Sequence, residues 1–171
     1  MSKTPAAFGL VLLAVIATQF TIANACSGKQ VLLQDDFQTL ASNWGQTNTH
    51  EFVRNGRLVI EPALNHQYKT LSAGNLFSAM DACVGVTMVA DGDNSFGAIA
   101  FWATDIDNLY EFYVTPRGYF GISRTVNGRW YTVVAYQAAP SVKKGNKQLN
   151  LLRLVTKDNR AIAYINGVQV A

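Results

Sequence analysis

Carboxylate chemistry has few places to sit in this chain. Glutamate occurs only at Glu51, Glu61 and Glu111. Glu111 stands between Tyr110 and Phe112, with Tyr113 next. Burial among aromatic rings makes a carboxyl hold its proton more tightly, the property of a general acid. Glycoside hydrolysis with retention needs a second carboxylate about 5 Å away, and Asp105 and Asp107 are the nearest candidates. Glu111 reads more readily as a structural carboxyl paired with an arginine. It is the catalytic candidate, and no enzyme motif accompanies it.

Two short loops offer clustered oxygen ligands. They are Asp91-Gly92-Asp93-Asn94 and Asp105-Ile106-Asp107-Asn108. Calcium takes six to eight oxygens, so Asp91, Asp93, Asp105 and Asp107 are the candidate metal ligands and calcium the candidate ion. Asp and Asn also form turns by bonding their own backbone, and no cofactor is otherwise implied. His50 and His66 have no partner at metal-ligand spacing. No glycine-rich phosphate loop follows a strand.

Aromatic residues make up 11% of the chain. Trp102, Tyr110, Tyr113, Tyr119, Trp130 and Tyr136 crowd one stretch, with Asn108, Arg117, Arg124 and Gln137 among them. A sugar ring stacks its C–H face on an aromatic ring while polar neighbours take its hydroxyls. These residues, Gln137 included, form the candidate ligand surface. About half of the aromatics must instead serve as sandwich core.

The elements that must position them read as strands. From Phe96 to Trp130, apolar runs alternate with turn signals at 105–108, 116–118 and 127–128, the pattern of an antiparallel meander. Strands are expected at 31–37, 57–61, 74–78, 82–90, 96–103, 108–115, 118–126, 130–137, 148–157 and 160–165. Side chains alternate along each. Leu109, Glu111 and Tyr113 oppose Tyr110, Phe112 and Val114. Leu149, Leu151, Arg153 and Val155 oppose Leu152 and Leu154. Many short strands without an ordinary helix predict an all-β antiparallel sandwich. Asn166-Gly167 predicts a final hairpin whose return strand, Val168–Ala171, is short. The domain therefore reads as lacking its last strands.

Residues 1–25 read as a cleaved signal peptide. Lys3 precedes an apolar run from Phe8 to Phe20, and Ala23-Asn24-Ala25 supplies the small-x-small cleavage site. Residues 26–171 then form a single domain, secreted or periplasmic, with no membrane attachment after cleavage. Ala23 stands where a lipid-modification signal carries leucine, which argues against lipidation of Cys26. Export sends the two cysteines, Cys26 and Cys83, to an oxidising compartment, where they are expected to pair. The net charge is only +3, with no basic face for nucleic acid. Lys143, Lys144 and Lys147 flank Gly145 and Asn146 as a solvated turn.

The ordered pattern Asp35-Asp36-Phe37, Trp44, Gly56-Arg57-Leu58, Gly97 with Phe101-Trp102, Asn108-Leu109-Tyr110-Glu111-Phe112, Gly118-Tyr119, Gly128-Arg129-Trp130 and Tyr164-Ile165-Asn166-Gly167 resembles the concanavalin A-like lectin/glucanase superfamily. Within it, the pattern is similar to bacterial secreted laminin-G-like or keto-disaccharide-hydrolase-like jelly rolls. The resemblance implies two curved sheets packed face to face, with a concave face that holds carbohydrate. Retaining glucanases of that superfamily carry a Glu-x-Asp-x-x-Glu strand that this chain lacks. The expected function is thus a non-catalytic module for a glycan or another extracellular ligand. The alternatives are a glycoside hydrolase-like enzyme and a laminin-G-like adhesion module.

Overall fold

The computed structural model describes residues 26–28, 30–63, 66–72, 77, 79–89 and 95–171. The expected leader, Asp91 and Asp93, and the strand expected at 74–78 (Phe77 apart) lie outside them. Among the described residues, no helix is long and apolar enough to cross a membrane.

Among the described residues, ten strands form: β1 (Glu51–Val53), β2 (Leu58–Ile60), β3 (Met80–Thr87), β4 (Gly97–Asp105), β5 (Asn108–Val114), β6 (Tyr119–Val126), β7 (Arg129–Ala138), β8 (Leu149–Lys157), β9 (Arg160–Ile165) and β10 (Val168–Gln169). All pairings are antiparallel. β4-β5-β6-β7 make one sheet, β10-β9-β8-β3 a second, and β1-β2 a separate hairpin.

The two large sheets share one core. β5 and β6 contribute Phe112, Val114, Phe120 and Ile122, while β8 and β9 contribute Leu152, Leu154, Ala163 and Ile165. Each is the inward member of its strand's alternation, as the sequence pattern requires. The architecture is an antiparallel β-sandwich. Gly97 admits a close approach of its two halves, because a Cβ there would collide with a methyl of Val86 on β3.

Turn chemistry sets the strand ends. Asn127-Gly128, Asn166-Gly167 and Asn55-Gly56 all have positive φ at both residues, the geometry that two-residue hairpins need to match strand twist. The first two were legible as hairpins. The third joins β1 to β2, whose hairpin the sequence reading did not include although the Asn-Gly signal was present. At Pro116-Arg117-Gly118 the amide of Gly118 donates to Thr115 O at 3.1 Å, and Thr115 N donates to Tyr119 O at 2.9 Å.

One expected strand does not form. Residues 31–37 are irregular, and Val31 is 73% exposed. Asp35 Oδ1 accepts from Phe37 N at 2.7 Å and Asp36 Oδ1 from Gln38 N at 3.2 Å. These local bonds compete with a ladder for the same amides. Asp35 Oδ2 also accepts from Trp44 Nε1 at 2.7 Å, closing the segment on itself. At the other end, β9 and β10 pair in a short edge, extended by Ala163 N donating to Ala171 O at 3.0 Å.

Candidate functional site

β5 and β6 are the two central strands of their sheet, so both edges of each are paired. The inner face is core. The outer face carries Leu109, Glu111 and Tyr113 of β5 opposite Thr125, Ser123 and Gly121 of β6. Glu111 is only 3% exposed. Its cover is the irregular segment 66–72. Gln67 Nε2 donates to Glu111 Oε1 at 2.9 Å. Lys69 Nζ lies 3.3 Å from Oε2, an ion-pair contact without hydrogen-bond alignment. The partners are thus a lysine and an amide, where an arginine was expected.

Two further polar atoms are buried beside this pair. Ser123 Oγ and Thr125 Oγ1 have no hydrogen-bond partner among the described residues. Ser123 is the direct cross-strand neighbour of Glu111, which puts their Cβ atoms about 5 Å apart. Gln67, Lys69 and Thr125 also line an open cleft of about 250 Å³, completed by Ile106, Asp107, Gly128 and Trp130. Glu111 lies behind Gln67 and Lys69, under one wall of this cleft.

One aromatic ring, that of Trp130, lines the cleft, with Phe96 and Tyr113 packed beside that ring. Trp130, at the start of β7, is 46% exposed. Its ring centroid lies 6.0 Å from that of Phe96 and 6.2 Å from that of Tyr113, and Lys69 Nζ is 6.0 Å from it. Gly121 makes room for Tyr113, since a Cβ there would meet the phenol. Further along, Tyr119 and Tyr136 stack with centroids 4.8 Å apart and planes within 17°.

Burial pushes the Glu111 carboxyl above its ordinary value, with Lys69 and Gln67 pulling partly back. Burial also raises the Tyr113 phenol, helped by Tyr136 and Glu111. For Glu111 the sign of the pH effect follows. The native state binds the proton more tightly than the unfolded chain. Stability therefore falls as pH rises from the ordinary carboxylate range through the raised value. Glu111→Gln removes that loss. The variant is expected to match wild type in acid and to exceed it increasingly toward neutrality, as read from urea unfolding at a series of pH values. A difference that does not grow with pH would contradict the burial argument.

The candidate ligand residues separate into two groups. Tyr113, Tyr119, Trp130 and Tyr136 belong with Glu111 around the outer face. Trp102, Tyr110 and Arg124 form a different cluster. Trp102 lies edge-on to Tyr110 at 5.4 Å, and the Arg124 guanidinium stacks 5.4 Å from the Tyr110 ring. Trp102 sits at a break in the β4–β5 register with φ of 46°, a conformation bulky residues rarely adopt. Tyr110 packs against the core. Asn108 opens β5, Arg117 lies in the turn between β5 and β6, and Gln137 pairs with Phe120. Asn108 Oδ1 holds Asn127 N at 3.0 Å, so its amide serves the turns. Phe96, Gln67, Lys69, Ser123 and Thr125 were not singled out from sequence. A polar row alternating with apolar Ile122 could have marked Ser123 and Thr125. Nothing local marks Gln67 or Lys69.

The metal candidates fare unevenly. Asp105 accepts from Asp107 N at 2.8 Å and from Asn108 Nδ2 at 3.0 and 3.1 Å, and the Asn108 side chain leads in lowering its pKa. Its carboxylate is committed to the turn. Asp107 faces the cleft. Elsewhere, Cys26, Asp81 and Cys83 place ligand atoms within 4.8 Å of one another, a spacing a metal ion could bridge. The two sulfurs are bonded to each other as the expected disulfide, and Asp81 is held by Arg153 and Ser27.

Fold and site together define a disulfide-bonded β-sandwich domain with a polar cleft beside Trp130 on the outer face of one sheet. No family model, no curated protein and no solved structure matches the chain.

Proposed function

We propose that the protein is an exported, non-catalytic carbohydrate-binding module of jelly-roll, concanavalin A-like type, and that glycan lies on the outer face of β4–β7. The observation that carries this reading is the partly exposed Trp130 ring beside a cleft lined by Gln67, Lys69, Thr125 and Asp107. An exposed ring flanked by hydrogen-bonding groups is what a sugar's apolar face and hydroxyl edge require. Tyr119 and Tyr136 extend the surface for a longer chain. Asp105 is committed to its turn, so this reading places no calcium ion on that carboxylate.

The hydrolase reading draws on a raised Glu111 and on Asp107 in the cleft wall. It is the weaker one, because Lys69 and Gln67 block Glu111 from the cleft. An adhesion reading draws on Tyr131 and Val133, which are exposed on β7.

The test is a glycan array probed with the purified chain, with and without a calcium chelator. Binding is expected in both. Trp130→Ala is expected to weaken the best hit at least tenfold, about 1.4 kcal/mol, with the thermal midpoint little changed. Unaltered affinity in that variant would remove the cleft from the site.

A further inference from the structure

Glu111 and its surroundings carry more than a generic sugar site, granted that the glycan reading holds. A carboxylate that is 3% exposed is costly to keep charged without a cation. The cation it meets is the ammonium of Lys69, delivered from a segment without regular secondary structure and not from the sheet. That ammonium sits 6.0 Å from the Trp130 ring centroid, within range of a cation–π attraction. Ser123 Oγ and Thr125 Oγ1, buried on the neighbouring strand, have hydrogen-bonding capacity that nothing described uses. A native fold rarely leaves such groups empty-handed without a reason.

We propose that this constellation is a site for the ammonium group of an amino sugar, and that Lys69 occupies it in the unliganded protein. The ligand's ammonium replaces that of Lys69 on Glu111. Its hydroxyls meet Ser123 and Thr125, and its ring lies against Trp130. Gln67 moves away with Lys69, vacating Glu111 Oε1. The long lysine stem lets the displaced ammonium reach water at little expense. Lys69 thereby sets the affinity threshold, since a ligand must outcompete a tethered cation at high effective concentration.

The probes are a β-linked tetramer of glucosamine, which carries ammonium groups, and the matching N-acetylglucosamine tetramer, which is neutral. Both are titrated calorimetrically into the full chain at mildly acidic pH, where the glucosamine amines hold their protons. Lys69→Met is expected to bind the ammonium tetramer at least tenfold tighter than wild type does, while the neutral tetramer, which loses a cleft donor and gains no partner on Glu111, binds no tighter. Adding Glu111→Gln should erase that preference. Lys69→Gln, which retains a donor for Glu111, serves should the methionine variant not fold. Equal affinity for the two tetramers in the Lys69 variants would overturn the proposal and leave the glycan reading standing. A preference that survives Glu111→Gln would do the same. Failure of both tetramers to bind any folded variant would overturn this proposal, and the array result would then decide the glycan reading separately.

Discussion

Replacing Cys26 and Cys83 together by alanine is expected to lower stability by about 2–5 kcal/mol, the usual loss for a native disulfide in a small domain. The bridge spans 57 positions of sequence, long enough for loop closure in the unfolded chain to matter. It also holds a second anchor in place. Arg153 of β8 grips Asp81 of β3 through Nε–Oδ1 at 2.7 Å and Nη2–Oδ2 at 2.8 Å. Ser27, next to Cys26, donates to Asp81 Oδ2 from both N and Oγ at 3.0 Å, and accepts from Arg153 Nη2 at 2.6 Å. The Arg153 hydrogen bonds hold the Asp81 carboxyl below its ordinary range. The stabilisation from that pair is therefore complete above the ordinary carboxylate range and is lost as pH falls through the lowered value. Partly exposed ion pairs of this kind are weak alone, so they do not substitute for the covalent link. Urea unfolding of wild type, of the double alanine variant and of reduced wild type checks this. The last two should coincide, and a reduced protein as stable as the oxidised one would refute it.

The meander from β4 to β7 was legible because its signals are local. Asn127-Gly128 and Pro116-Arg117-Gly118 punctuate runs whose alternation separates Phe112 and Val114 from Glu111 and Tyr113. The pairing of Cys26 with Cys83 was legible from their number and the expected export. Three things were not. Residues 31–37 have strand composition, yet the Asp35 and Asp36 carboxylates capture nearby amides, a choice that hydropathy does not encode. Division of the aromatics between two clusters depends on register and on the irregularity at Trp102, where alternation stops being a guide. The environment of Glu111 depends on Gln67, 44 positions away in an irregular segment. No periodicity tells such a segment which strand it will cross. The sequence thus marked Glu111 as unusual but gave it the wrong partner.

Asn150→Ala is expected to cost about 2–4 kcal/mol, a large effect for one small side chain. Asn150 is fully buried on the inward side of β8, among Leu152 and Leu154. Its amide works as a piece of backbone would. Oδ1 accepts from Lys143 N at 2.8 Å and Nδ2 donates to Lys143 O at 3.0 Å. Asn166 Nδ2 donates to the same Oδ1 at 2.9 Å and to Ser141 O at 2.7 Å, while Asn166 Oδ1 takes Leu151 N at 2.9 Å. The segment held in this way, 139–147, is where the chain leaves β7 in one sheet and enters β8 in the other. Ala139 and Val142 from it join the core. Alanine would leave Lys143 N–H and C=O and one Asn166 donor without their partner, on top of a small cavity. Asn150→Asp should be worse still, because it loses the Nδ2 donor and buries a charge. Asn150→Ala should nonetheless leave affinity at the Trp130 cleft unchanged while the protein stays folded, because that cleft is on the other sheet's outer face. Denaturant midpoints alongside glycan titration separate the two effects. A stability loss under 1 kcal/mol would mean that water reaches Lys143 freely and that the crossing between sheets is held by Val142 and its apolar neighbours instead.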